Sequence, residues 1–309
     1  GLSCLAPCSG EGAESYSAGG FTWKPLTNGT WSVFTHWTNG LTPTSVATRI
    51  LEFGGSGSSA YHATNNIANP FLLNKLLFSS TSTATNVIAG SPLQFHGSDG
   101  GIFKDGSGGS YIVSNSISLT SNIRFWGPAT GGTVALASNI SGAGALRKDG
   151  AWARRLQGSN TFSGPVTMDS PGGFLMYDSL LALGTNSLTV SNGTLTAASA
   201  DLFQGSGGAY RTALVSGSGA VWTNGSGLTI GTNASVTVAS NGWLASWLGV
   251  DARETVPCAL TVTNGGQVLL TGNSFIGTGT SNNFALVTGA GSFWDGAGRL
   301  SDKNRAYMA

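Results

Sequence analysis

One stretch of small, nearly uncharged residues occurs twice in this chain at a fixed distance. ALVSGSGAVWTNGSG, residues 213–227, returns as ALVTGAGSFWDGAG, residues 285–298, a displacement of 72 positions. Catalytic motifs are rarely duplicated at a regular interval, whereas structural units often are, because identical units can stack on each other. The duplication therefore predicts an architecture of stacked repeats.

Short strand-like segments give the length of the repeat. Groups that alternate small polar with apolar residues open at Leu188, Ala213, Val236, Leu260 and Ala285. These openings recur at about 24 residues, which accommodates three short strands and three turns per coil. A solenoid must hold such a period because each coil lies over the one below. The duplication then spans three coils, which predicts that Trp222 and Trp294 share a face about 14 Å apart.

The composition agrees with a right-handed parallel β-helix. Charged residues make up 9% of the 309 positions, hydrophobic residues make up 40%, and glycine occupies 48 positions. In such a solenoid equivalent side chains stack about 4.8 Å apart, so a charge repeated at one position would repel its own copy. Asn, Ser and Thr can form neutral ladders instead, while Val and Ile fill the interior. We therefore predict an ordered, all-β chain.

The N-terminal region concentrates tryptophan residues. Trp23, Trp31 and Trp37 fall within residues 20–53, ahead of the regular repeats. A solenoid exposes an apolar cross-section at its end, so clustered aromatic residues predict an N-terminal cap. An exposed carbohydrate platform is the alternative, and it makes Trp31 and Trp37 candidate ligand contacts.

The middle of the chain carries a longer motif. Residues 138–168, SNISGAGALRKDGAWARRLQGSNTFSGPVTM, contain Gly-x-Gly-x-Leu-x-Lys-x-Gly, a strand, and Gly-x-Asn-Thr-x-Ser-Gly. This pattern resembles the autotransporter-associated β-strand repeat, and residues 260–294 are similar to repeats of surface proteins with a PEP-CTERM sorting tail. The matching positions, which we expect to be structural, are Gly142, Gly144, Leu146, Lys148, Gly150, Gly158, Asn160, Thr161, Ser163 and Gly164.

One segment departs from that family pattern. Where the repeat usually alternates Leu with Thr, this chain has AWARRL at residues 151–156. Strand alternation then aims either Arg154 or Arg155 into the interior, where an unpaired charge is costly. A local bulge or a degenerate repeat would explain the departure.

The resemblance implies a non-catalytic, structural or adhesin-like stalk of a secreted or surface-displayed bacterial protein, located outside the cell or at the outer membrane. It implies surface glycans or other cell-surface proteins as partners and no cofactor. We expect the chain to be part of a longer protein. A carbohydrate-binding β-helix module is the alternative function, and a polysaccharide-active β-helix enzyme is a third.

The organisation along the chain divides into four predicted regions. They are an N-terminal tail or linker (1–19), a cap with the first coils (20–137), the motif region (138–199), and regular coils that end in an atypical tail (200–309).

A polysaccharide-active enzyme needs carboxylates that converge on one face. The chain has 13 acidic residues, and no column of them continues at the coil spacing. The nearest pairs are Asp99 with Asp105, Asp251 with Glu254, and Asp295 with Asp302. The sequence therefore predicts no catalytic site.

Net charge and residue spacing argue against further classes. A net charge of +1 provides no field that would attract nucleic acid. Neither the histidines nor Cys4, Cys8 and Cys258 show the spacing of metal ligands, so we predict no metal site. No apolar run reaches the roughly 18 residues of a membrane-spanning helix.

Overall fold

The chain folds into an all-β parallel solenoid, as the sequence predicts. The computed structural model describes residues 20–25, 27–56, 58–158, 160–177, 187–197, 201–203, 211–250, 258–270, 272, 274–276, 283–296 and 300–302, and the description below is confined to them. Every pairing between their strands is parallel, apart from an isolated antiparallel bridge between Trp23 and Trp37. One 3-10 turn, Phe34–His36, lies beside this bridge.

Each coil contributes strands to as many as three faces. Face 1 contains Thr22–Trp23, Ile50–Phe53, Lys75–Phe78, Gly100–Lys104, Ile123–Trp126, Leu146–Lys148, the first parts of Val166–Tyr177 and Leu188–Ala197, then Arg211–Ser216, Ala234–Ala239, Cys258–Thr263 and Asn283–Thr288. It is an uninterrupted ladder through the described part of the chain.

Face 2 follows face 1 along every coil. It contains Gly29–Thr30, His62–Asn65, Thr85–Gly90, Ser110–Val113, Thr133–Leu136, Ala153–Leu156, the second parts of Val166–Tyr177 and Leu188–Ala197, the first parts of Ala220–Ile230 and Trp243–Val250, then Gln267–Leu270 and Phe293–Gly296.

Among the described residues, the strands of face 3 fall into two sections. The N-terminal section is a four-stranded sheet of Phe71–Leu73, Leu93–Phe95, Ile117–Leu119 and Ile140–Gly142. The C-terminal section contains Asp201–Phe203, the last parts of Ala220–Ile230 and Trp243–Val250, then Ser274–Ile276 and Leu300–Asp302.

The register confirms the period that the sequence predicts. Leu188 pairs with Ala213, Ala213 with Val236, Val236 with Leu260, and Leu260 with Ala285, so the five strand openings form one interior column of face 1. The adjacent column holds valines at 190, 215, 238 and 262, all fully buried. A neutral contact of the predicted kind connects outer positions of adjacent coils, because the hydroxyls of the paired residues Thr196 and Thr223 lie 3.0 Å apart.

The N-terminal tryptophans fill the interior of the first coils. Trp23, Trp31 and Trp37 are fully buried. The Trp37 ring lies edge-on to both others, at centroid distances of 5.1 Å from Trp23 and 6.2 Å from Trp31, and all three rings contact Phe53. This packing fits the predicted aromatic cap.

The coils shorten in the motif region. Along the column that starts at Phe125, the next inward positions are Lys148, Met168 and Val190, and the step from Lys148 to Met168 is the shortest of the three. Strand pairing also continues across two of the predicted region boundaries. Thr133–Leu136 pairs with Ala153–Leu156 across position 137, and Leu188–Ala197 pairs with Arg211–Ser216 across position 199. The division into four regions stays a prediction, and region 1–19 lies outside the described residues.

Candidate functional site

The two tryptophans predicted as candidate ligand contacts lie in the core. Trp31 and Trp37 have no exposed surface. The Trp37 Nε1–H donates to the Trp31 carbonyl oxygen at 2.8 Å, and the Trp31 ring lies 5.2 Å from that of Phe71. Because neither ring reaches the surface, their packing argues against the carbohydrate platform, which is the alternative to the predicted cap.

The residues of the repeat motif form backbone and interior contacts. Leu146 and Lys148 are buried on face 1, and the buried Asn160 Oδ1 accepts from the Ile140 N–H at 2.7 Å. The backbone N–H of Thr161 donates to the Ile140 carbonyl and that of Ser163 to the Gly142 carbonyl, both at 2.8 Å. These bonds continue the face 3 ladder beyond its last strand.

The motif glycines allow neighbouring coils to approach closely. A Cβ atom on Gly144 would lie 2.1 Å from the Ser121 carbonyl oxygen, and one on Gly164 would lie 2.2 Å from that of Gly144. Three further motif glycines have close neighbours at the Cβ position, namely Gly142, Gly150 and Gly158. The motif thus occupies structural positions.

Arg154 points into the interior and Arg155 points outward. Arg154 keeps the regular register, since it pairs with Val134 below and Leu175 above, so no bulge occurs at this strand. Its side chain is fully buried, and its Cζ lies 3.5 Å from the centroid of the Phe125 ring and 4.4 Å from that of Trp152. Burial lowers the pKa of this guanidinium well below its usual value.

Two buried lysines lie near the corner between faces 1 and 2. The Lys104 ammonium donates to the carbonyl oxygens of Gly106, Gly108 and Gly131, which satisfies its three donors. The Lys148 ammonium donates to the Gly150 carbonyl and lies 5.0 Å from the centroid of the Trp152 ring. Burial lowers the pKa of Lys104 to about 8. Burial also lowers the pKa of Lys148 to about 7, and the positive charge of Arg154 adds to this second shift.

The candidate carboxylate pairs occupy separate environments. Asp99 accepts from the Lys75 ammonium at 2.6 Å, whereas Asp105 lies beyond the end of its face 1 strand. Burial raises the pKa of Asp105, and the charge of Glu52 adds to the shift. Asp251 and Glu254 lie outside the described residues, as does the side chain of Asp302.

An open cleft of about 310 Å³ lies beside face 1. The carboxylate of Asp149 accepts from the guanidinium groups of Arg124 and Arg147, and Arg147 also lies 3.7 Å from Asp169. These ion pairs join neighbouring coils, and their opposite charges neutralise each other. The lining residues are Ser98, Asp99, Asn122, Ile123, Arg124 and Arg147.

Face 2 exposes two aromatic rings in one outward column. Trp243 and Phe293 are each 41% exposed, and both pair with Gln267, which places them two layers apart. Thr223, Ala245 and Leu269 lie in the adjacent outward column, which ends at Asp295. These residues were not predicted, because only the pairing of Trp243 with Val221 and of Leu244 with the inward Trp222 shows that Trp243 points outward.

Face 1 bears an outward apolar cluster of Leu77, Phe103 and Trp126. These side chains lie on the outer side of the wall but are only 4, 5 and 6% exposed. The Phe103 and Trp126 rings meet edge to face at 5.4 Å, and Arg124 lies over Trp126 with its Cζ 5.6 Å from the centroid. This cluster was not predicted either.

Further groups in the described part of the chain do not assemble into metal sites. No three His, Cys, Asp or Glu residues there lie close enough to hold a metal ion. Cys258 is buried, and its Sγ lies 3.1 Å from Asn283 Oδ1. Cys4 and Cys8 fall outside the described residues. Among those residues, no helix is long and apolar enough to cross a membrane.

Comparison with known proteins leaves the geometry as the basis for assigning a function. No family model, curated protein or solved structure matches this chain.

Proposed function

We propose that this chain is a non-catalytic stalk of a secreted or surface-displayed bacterial protein, which acts as a stiff spacer and offers its outer faces for adhesion. The observation that supports the proposal is the continuity of face 1. Eleven successive parallel pairings run from Thr22–Trp23 to Asn283–Thr288. At about 4.8 Å a step, this ladder is roughly 50 Å long.

A solenoid of this kind suits a spacer because each coil is held by the coils on both sides. Its outer positions are mostly neutral, so many weak contacts can form along one face without strong attraction to a single charged ligand. The resemblance of residues 138–168 to the autotransporter-associated repeat supports the bacterial surface as the location.

Two measurements on the purified chain test the spacer role. Small-angle X-ray scattering is expected to give an elongated particle whose long axis includes the whole face 1 ladder, and beads coated with the chain are expected to adhere to bacterial cells. A compact particle, or coated beads that adhere no better than albumin-coated beads, would contradict the proposal.

A second candidate function, binding of a neutral polysaccharide, is favoured by the exposed Trp243 and Phe293. Aromatic faces stack on the apolar faces of sugar rings, and the Gln267 amide between them can bond to sugar hydroxyls. Two layers separate the rings by about 10 Å. The arrangement fits an extended glycan that lies along the solenoid axis.

A glycan array tests this candidate with matched variants. The double variant Trp243→Ala/Phe293→Ala is expected to lose neutral-glycan binding at least tenfold, while Leu214→Ala is expected to retain it. Leu214 is the control because it is 39% exposed but lies on face 1. Equal losses in both variants would contradict a site on face 2, and release of sugar products during incubation would favour the enzyme hypothesis instead.

A further inference from the structure

Arg154 is a buried cation whose hydrogen-bond donors lack acceptors. It is fully buried, and its Nε, Nη1 and Nη2 atoms have no hydrogen-bond partner. Buried polar groups in native proteins are nearly always bonded, and an exception calls for an explanation such as a bound water or ion. A guanidinium has the highest pKa of the basic side chains, so even when burial lowers that pKa it gives up its proton less readily than a buried lysine.

The aromatic contacts of Arg154 stabilise its positive charge but supply no hydrogen-bond acceptor. Phe125 and Trp152 attract the cation through their ring faces. All five N–H bonds, however, point outward from the edge of the planar group, where stacking supplies no acceptor. The neighbours of Arg154 in its column are Val134 and Leu175, whose side chains offer no acceptor either.

Another buried cation, Lys104, differs from Arg154 because all of its donors are hydrogen-bonded. Lys104 reaches three carbonyl oxygens at the same corner of the solenoid. Two coils further on, Lys148 donates to the Gly150 carbonyl, and both Lys148 and Arg154 lie within 5.0 Å of the centroid of the Trp152 ring. The interior therefore places two basic groups at one aromatic side chain, and the lowered pKa of Lys148 leaves Arg154 as the stronger base of the two.

The carboxylate of Asp149, which acts on Lys148, already accepts hydrogen bonds from other side chains. Asp149 acts on Lys148 electrostatically, but its carboxylate accepts from Arg124 and Arg147 at the outer face. A water molecule could accept from Arg154, but it would leave the positive charge of the guanidinium without compensation. A small anion can accept the hydrogen bonds of the guanidinium and can also compensate its positive charge.

We propose that a small monovalent anion of the halide class, such as chloride, binds inside the solenoid at the guanidinium edge of Arg154, with Lys148 adding to the attraction. The anion accepts hydrogen bonds from Arg154 and offsets the guanidinium charge, together with that of Lys148 whenever the ammonium is protonated. This inference concerns the interior of the motif region and does not depend on the proposed stalk function.

Thermal unfolding at constant ionic strength tests the site. In sodium gluconate with increasing replacement by sodium chloride, the midpoint of the natural chain is expected to rise with chloride concentration, because the anion binds the folded state. Arg154→Met, which fits an apolar column, is expected to abolish this rise. Arg155→Met changes an exposed residue of the same strand and is expected to keep it. The proposal would be overturned if the midpoint of the natural chain did not change with chloride, or if both variants lost the chloride-dependent rise equally.

A diffraction experiment gives an answer that does not depend on the variants. Crystals of the natural chain grown in sodium bromide are expected to show an anomalous peak within hydrogen-bonding distance of the Arg154 guanidinium. A water molecule there, with no anomalous signal, would refute the anion.

Discussion

Trp222 and Trp294 occupy one interior column of face 2, with Leu244 and Val268 in the two layers between them. Three ladder steps place them about 14 Å apart, as the duplicated sequence predicts. Trp222 is fully buried and donates from Nε1 to the Tyr177 hydroxyl at 2.9 Å, whereas Trp294 is partly buried against the same core. The duplicated segment is therefore one corner of the solenoid, repeated three coils later.

Truncation of Trp222 should destabilise the chain far more than truncation of Trp243. Trp222→Ala removes a fully buried ring and leaves a cavity, so we expect a loss of about 3–5 kcal/mol in the free energy of unfolding. Trp243→Ala removes a ring that is 41% exposed and should cost less than about 1 kcal/mol. Urea unfolding followed by circular dichroism measures both. Similar losses would contradict the assignment of Trp222 to the interior.

The close approach of coils at Gly144 gives a second matched pair. In Gly144→Ala the new Cβ would meet the Ser121 carbonyl oxygen at 2.1 Å, so neighbouring coils must separate, and we expect a loss of about 1–3 kcal/mol. Gly225→Ala is the control, because nothing lies within 4 Å of its Cβ position. If urea unfolding shows Gly225→Ala to be the more damaging change, the register of the motif region is wrong.

Stability should rise with pH between about 7 and 10 because of the two buried lysines. Burial lowers the pKa of Lys148 to about 7 and that of Lys104 to about 8, from 10.5 in the unfolded chain. Over this range the unfolded chain binds more protons than the folded one, so each increase in pH favours the folded state. Below about pH 6 both states carry the protons, and the dependence due to the lysines is absent.

Lys148→Met separates the two contributions. In chloride-free buffer it should remove the part of the slope that begins near pH 7 and leave the part due to Lys104. Urea midpoints from pH 6 to 9.5 measure this, and the range stays below the ionisation of Tyr111, whose pKa is raised to about 12 by burial. An unchanged slope would show that Lys148 is not desolvated.

The regular half of the solenoid could be predicted from the sequence because its period is nearly constant. The column from Leu188 to Ala285 follows from strand openings that recur at almost equal intervals. In the motif region the step from Lys148 to Met168 is several residues shorter than this period, so no fixed spacing could have extended the register there.

The direction of single side chains was the part that the sequence left open. Alternation showed that either Arg154 or Arg155 points inward, but only a paired neighbour such as Val134 fixes which one. The same ambiguity applied to the aromatic residues, because Trp31 is buried whereas Trp243 is exposed. Composition does not distinguish the two sides of a wall that is one strand thick.

A disulfide between adjacent coils tests the central claim, the stacking of coils in this register, most directly. Thr237 and Thr261 are Cα partners in neighbouring coils, and parallel partners lie about 4.8 Å apart, within the range that a disulfide spans. The double variant Thr237→Cys/Thr261→Cys is expected to form an intramolecular disulfide on mild oxidation, identified by peptide mapping. The shifted pair Thr237→Cys/Thr263→Cys is expected to remain largely reduced, since Thr263 pairs with Ala239. Preferential closure of the shifted pair would contradict the stacking.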